Sequence, residues 1–188
     1  MKLPKLVLAS GSPRRAEILT SVGWQFEKDS ADIDESEIGG ESPVDYVTRL
    51  ALGKARAVAS RYPERLVLGA DTTVVIGNAI IGKPVDLDDA ARMIRLLAGN
   101  WHEVLTGIAL VTGERSESGI QRTAVKFAPM TETEISFLVE NGDPLDKAGA
   151  YAVQAQAALF IEEIRGDYWN VVGLPIQLVY SLAARFAQ

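Results

Sequence analysis

The chain has 188 residues, 47% hydrophobic and 23% charged, which suits one sizeable soluble domain over 1–188 and excludes disorder and low complexity. It has no cysteine and a single histidine, His102. Disulfides, thiolate catalysis, cysteine-ligated zinc and multi-histidine metal sites are therefore excluded, and a serine–histidine mechanism would have to pass through His102. A formal net charge of -6 removes the general basic footprint of a duplex nucleic-acid binder.

From the N-terminus, Leu6 to Ala9 is apolar but too short for a signal segment, and it turns polar at Ser10. It predicts a first buried strand and a cytoplasmic protein. No later apolar run is long enough to span a bilayer, so no membrane partner is expected. Next comes Ser10-Gly11-Ser12-Pro13-Arg14-Arg15. Ser12 suits an N-cap and Pro13 the first helical position, with the helix running to about Val22. A small-residue turn between strand and helix, with the helix amides and two arginines beside it, favours a phosphate site over two solvated arginines.

Trp24 to Lys28 reads as a second strand. The acidic stretch Asp29 to Gly40 is either a solvated loop or the source of one carboxylate that reaches a metal. Ser42-Pro43-Val44-Asp45 starts a second helix, whose apolar stripe is Tyr46, Val47, Leu50, Ala51, Ala55 and Val58. Lys54 lies near that stripe, where a lysine either snorkels to solvent or serves as a fixed cation facing a phosphate.

Leu66 to Ile76 is apolar and β-branched apart from Gly69, Asp71, Thr72 and Thr73, which predicts a strand buried on both faces. A carboxylate there needs a cation or donors beside it, because burying an unpaired charge costs several kcal/mol or more. Gly77-Asn78 turns the chain into a return strand, Ala79 to Ile81. Gly82-Lys83-Pro84 lacks the glycine-rich run and the Ser or Thr of a P-loop. A helix from Leu87 to about Ala98 follows. Trp101 to Thr112 and Gly119 to Phe127 read as paired strands, with Gly113 to Ser118 between them. Thr131 caps a helix to about Val139. Asn141 to Pro144 is a loop, Leu159 to Ile164 a strand, and Ile176 to Phe186 the last helix.

Six stretches then combine. Ala9-Ser10-Gly11-Ser12-Pro13-Arg14-Arg15, Lys54-Ala55, Gly69-Ala70-Asp71-Thr72, Gly82-Lys83-Pro84, Asp146-Lys147-Ala148-Gly149-Ala150-Tyr151 and Val172-Gly173-Leu174-Pro175 resemble, in order and spacing, the Maf family of nucleotide pyrophosphatases. The resemblance covers nearly the whole chain. It implies an ITPase-like mixed α/β fold, a mixed sheet with flanking helices and two lobes around a central cleft, and often a homodimer. It also implies hydrolysis of a nucleoside triphosphate between its α- and β-phosphates, with a divalent cation, magnesium or manganese by the absence of soft ligands.

The resemblance assigns catalysis to Asp71, Lys54 and Lys83, and phosphate binding to Ser10, Ser12, Arg14 and Arg15. It assigns substrate choice to Arg14, Thr72 and Gln154. Asp71 would be either the base or a metal ligand, with Glu35 as its partner on the metal. Asp71-Thr72 and Gln154 resemble the dTTP/UTP type, not the type that prefers 7-methyl-GTP. One stretch departs from the family: Ala152-Val153-Gln154-Ala155 stands where Gly-Ile-Gln-Gly is more usual, which puts that loop's geometry in question. The alternative reading is a nucleotide-binding regulator with little turnover, since the family is also associated with arrest of septum formation.

Overall fold

Pairing of the apolar runs builds a seven-stranded mixed sheet, in a computed structural model that describes residues 3–186. The strands are β1 (Leu6–Leu8), β2 (Phe26–Lys28), β3 (Leu66–Ile76), β4 (Ala79–Ile81), β5 (Trp101–Thr112), β6 (Arg115–Phe127) and β7 (Ile161–Arg165). The helices are α1 (Pro13–Ser21), α2 (Pro43–Ala59), α3 (Leu87–Leu97), α4 (Glu132–Asn141), α5 (Tyr168–Val172) and α6 (Ile176–Ala184). Strand order is β2-β1-β3-β5-β6-β7, with β4 on β3. β1 runs parallel to β2 and β3, whereas β3–β4 and β6–β7 are antiparallel, so the mixed α/β expectation holds. None of the described helices is long and apolar enough to cross a membrane.

The elements follow the sequence pattern closely. The seventh strand starts at Ile161, because Leu159 closes a 3-10 turn, and four further differences stand out. β6 starts at Arg115, because a two-residue turn at Gly113-Glu114 suffices where a longer one was expected. The second strand is shorter than expected: Trp24 stays outside it, buried, and donates its indole N–H to Pro4 O at 2.7 Å. The stretch before the last helix holds the short helix α5, whose five residues carry too little periodicity to stand out. Ser12 occupies the N-cap position of α1, but its hydroxyl bonds no amide of the first turn. Ser42 and Thr131 do cap their helices, accepting from Asp45 and Glu134 amides.

The described chain forms two compact units. The first takes residues 3–71, 106–121 and 173–186, and the second takes 72–105 and 122–172. In the first, α2 lies tightly against β3 and β5. A Cβ on Gly69 would fall 2.2 Å from Ala51 O, and one on Gly107 would fall 2.3 Å from Val47 O. Only glycine lets helix and strand backbones approach this closely. The core there includes Val7, Ala51, Ala55, Val58, Val67 and Ala109.

In the second unit α3 buries Ala90, Met93, Ile94 and Leu97. The core continues through Val74, Phe127, Leu138 and Tyr151. The ring of His102 sits at the edge of Phe127 and Tyr151, with centroids 5.1 and 5.5 Å away.

Candidate active site

The site grows out of the close approach of α2 and β3. Lys54 precedes Ala55, which faces Gly69, and Asp71 stands two residues beyond that glycine. Both side chains are buried, and Lys54 Nζ donates to Asp71 Oδ1 at 2.6 Å. Snorkelling does not describe this lysine, because the helix carries it inside, onto a carboxylate. Val47, Leu50 and Val58 on the same helix are fully buried. At about 1.5–3 kcal/mol each, they offset a desolvation penalty of several kcal/mol per ion.

A second carboxylate reaches the same ammonium. Glu35 Oε1 lies 2.8 Å from Lys54 Nζ, on a side chain that is half exposed. The acidic loop that carries it is pinned to α2. Tyr46 donates its hydroxyl to Glu35 O at 3.1 Å, and Arg49 donates to Ser36 O at 3.0 Å. Arg61 closes the loop's near end on Asp29 at 2.9 Å. Residues 29–40 form a largely exposed loop, as the solvated reading has it, with the Glu35 carboxylate turned onto Lys54.

Arg15 is buried and works through backbone. Its Nε donates to Gly173 O at 3.0 Å, and its Nη1 donates to Ala70 O at 2.8 Å and to Ser10 Oγ at 3.0 Å. It ties the β1–α1 turn to the residue before Asp71 and to the approach to α6. Ser10 Oγ also accepts from Ser12 N at 3.2 Å, which shapes the turn. Arg14, one residue earlier, is half-buried.

The electrostatics follow from burial. Desolvation pushes the Asp71 carboxyl above its ordinary range, against Lys54 and Arg15, which pull it down. Desolvation lowers Arg15, opposed chiefly by Asp71. Tyr46 is raised to about 12 by desolvation first, then by Asp71 and Glu35.

The other expected site residues belong to the second unit. Thr72 is half-buried on β3 and Lys83 is exposed after Gly82, whose carbonyl accepts from Gly149 N at 3.0 Å. Gln154 is exposed in the turn between Tyr151 and the 3-10 turn Gln156–Leu159. Its flanking alanines are unstrained: the only described non-glycine residues with positive φ are Asp143 and Ala150. The departure from Gly-Ile-Gln-Gly thus leaves Ala152 and Ala155 in backbone that any residue adopts.

The motif lysine Lys147 is buried and paired with Asp143 and Asp146, an internal clamp on its own loop. His102 is likewise structural. Its Nε2 lies 2.8 Å from the Tyr151 hydroxyl, and burial drops the imidazole to about 4, so it serves no serine nucleophile.

Two residues beside the expected site carried no motif of their own. Tyr46 read only as part of an apolar stripe and Arg49 carried no signal, yet they hold the Glu35 loop. Gly69 was the available signal for how close α2 comes.

For a metal, the donor set is two carboxylates. Among the described residues no group of three or more His, Cys, Asp or Glu is placed to hold an ion. The two oxygens already enclose a cation, the Lys54 ammonium. Hard oxygen donors at this count suit magnesium or manganese, which complete their shells with water and phosphate oxygens.

Comparison with known proteins adds the following. The family model described as "Maf-like protein" matches residues 5–186. A dTTP/UTP pyrophosphatase of Symbiobacterium thermophilum is 47% identical over 184 residues, covering 98% of this chain and 95% of the relative. A dTTP/UTP pyrophosphatase of Hahella chejuensis is 50% identical and covers 92% and 87% of the two chains. One of Geobacter sulfurreducens is 50% identical and covers 94% and 93%. Among solved structures, the Ham1 protein of Staphylococcus aureus superposes with a TM-score of 0.56 at 13% identity, covering 97% of this chain and 99% of its own. That likeness is one of fold.

Proposed function

The chain belongs to the Maf family, and from that premise we propose that it is a cytoplasmic nucleoside triphosphate pyrophosphatase, converting dTTP and UTP to the monophosphate and pyrophosphate. The observation that carries this reading is the buried Asp71–Lys54 pair with Glu35 on the same ammonium. A soluble domain gains little stability from a buried ion pair relative to apolar packing. Its placement beside the strand–turn–helix at Ser10 to Arg15 suits a site that must manage a polyanion.

In this reading the amides at the N-terminus of α1, with Ser10, Ser12 and Arg14, receive phosphate oxygens. The Ser12 hydroxyl makes no cap bond to those amides, which leaves the helix end suited to an anion. Arg15 positions the turn and Asp71 through its carbonyl contacts and adds positive charge at short range. Lys54 neutralises charge as the anhydride breaks, a role that family likeness also gives to Lys83. Asp71 has one of two tasks: as base it takes the proton of the attacking water, where an ordinary carboxyl near ~3.9 is weak and a raised one is better, and as metal ligand it acts with Glu35. Glu35 and Asp71 would hold a divalent cation, which supplies positive charge against the triphosphate. Thr72 and Gln154 read the base, since a glutamine amide offers one donor and one acceptor to a uracil or thymine edge.

The test is release of pyrophosphate by purified protein, with magnesium or manganese, from dTTP, UTP, CTP, GTP and 7-methyl-GTP. The expected outcome is a preference for dTTP and UTP. Preference for 7-methyl-GTP would move the chain to the other type, and nucleotide binding without pyrophosphate would return it to the regulator.

A further inference from the structure

The position between Asp71 and Glu35 is already filled by a charge from the protein itself. Lys54 Nζ lies 2.6 Å from Asp71 Oδ1 and 2.8 Å from Glu35 Oε1, within the span of a single cation's ligands. Arg15 is held on the carbonyl of Ala70, next to Asp71, so two carboxylates share their surroundings with two basic side chains. A dication added to it would meet an ammonium at contact distance in a largely buried setting, where repulsion is weakly screened. Metal and ammonium therefore compete for the same two oxygens.

We propose that Lys54 is an exchangeable counter-ion. A divalent cation binds Asp71 and Glu35 only as the Lys54 ammonium leaves them, and the triphosphate provides the anion to which that ammonium moves. This second clause rests on the pyrophosphatase reading; the competition itself does not.

Two consequences follow. Metal alone binds weakly, because its entry strands the ammonium. Metal and nucleotide bind with positive coupling, equal in both directions by linkage, because each removes the cost of the other. Such a site resists loading with free metal and assembles its charge only around substrate. The side chains concerned lie on α2, β3 and the loop that Tyr46 and Arg49 pin down.

The experiment is titration of the purified protein with Mn2+, free ion being counted by electron paramagnetic resonance, with and without a non-hydrolysable dTTP analogue. Lys54→Gln keeps a donor for Asp71 and removes the charge; Lys54→Arg keeps the charge. Circular dichroism establishes that each variant is folded. Without nucleotide, Lys54→Gln is expected to bind Mn2+ about tenfold more tightly than the wild type, the scale of one nearby unit charge. Lys54→Arg should stay as weak as the wild type. With the analogue, the tightening seen in the wild type should shrink in Lys54→Gln.

Equal or weaker Mn2+ binding by Lys54→Gln overturns the proposal. So does equal tightening by Lys54→Arg, since charge would then not be the cause. The Mn2+-only arm reads the competition even if dTTP proves not to be a substrate. Failure of the pyrophosphatase reading would appear instead as absent pyrophosphate release by the wild type.

Discussion

At the scale of single residues, the sequence put forward Asp71, Lys54 and Arg15 as candidates but not their pairings. Asp71 stood out as a carboxylate in an apolar strand, and it is indeed buried against a lysine. Asp71→Asn keeps the shape and removes the charge. Turnover is expected to fall at least ~100-fold, the usual scale for loss of a general base, while binding of dTTP persists. Stopped assays of pyrophosphate and an equilibrium binding measurement separate the two, and turnover within a few-fold of wild type would remove Asp71 from the mechanism. Gln154 is a different case. It is exposed, in unstrained backbone, and its role as base reader comes from family likeness. Gln154→Leu should lower kcat/KM for dTTP and UTP more than for GTP. Unchanged selectivity would show that Gln154 does not read the base.

Among the elements, the seat of α2 on β3 decides where Lys54 goes. Gly69 and Gly107 let the helix backbone approach until any Cβ would overlap a carbonyl oxygen at 2.2 or 2.3 Å. Gly69→Ala must push α2 outward. The expected cost is about 3 kcal/mol of stability, at the upper end for overpacking a well-filled core. Activity should fall further than stability alone explains, because a shift of about 1 Å in a reacting group costs on the order of 100-fold. Urea denaturation and kcat, measured on protein that is folded at the assay temperature, test this together; wild-type kcat in Gly69→Ala would show that the helix seat does not set the site. Helix and strand limits were largely legible because periodicity and caps are local signals. Helix α5 was not, since five residues make barely more than one turn.

For the molecule as a whole, the acid limit of stability has an identifiable source. The lone histidine is buried and neutral, lowered from 6.5 to about 4 by desolvation. The unfolded chain therefore binds a proton at higher pH than the fold does. The His102 contribution to stability is fully present above about 6.5 and is lost as pH falls towards about 4. Integrated between pH 7 and pH 5, the loss is on the order of 2 kcal/mol. Asp71, held above its ordinary range, works in the opposite direction, so the informative comparison is with His102→Gln, in which Asp71 is unchanged. The surface carboxylates held low by arginines, such as Asp29 and Asp89, act only below that window. Denaturant unfolding at stepped pH should show the decline in wild type and a flatter profile in the variant. Parallel profiles would mean that His102 does not carry the acid dependence.

The sequence by itself determined the alternation of strands and helices and the family, and it put forward a candidate set of side chains for a triphosphate. Those follow from short-range order: apolar period, turn residues, caps and motifs a few residues long. Only the tertiary structure decided which charges meet. Lys54 and Asp71 are 17 residues apart, and Arg15 reaches a carbonyl 158 residues away. Whether such groups touch depends on how closely a helix packs on a strand, and that distance is set by side-chain volume summed over the core. The motifs supplied two arginines for phosphate and a lysine for solvent or phosphate. Packing turned one arginine onto backbone carbonyls and gave the lysine two carboxylates, because in a low-dielectric interior each buried charge takes the nearest partner that satisfies it.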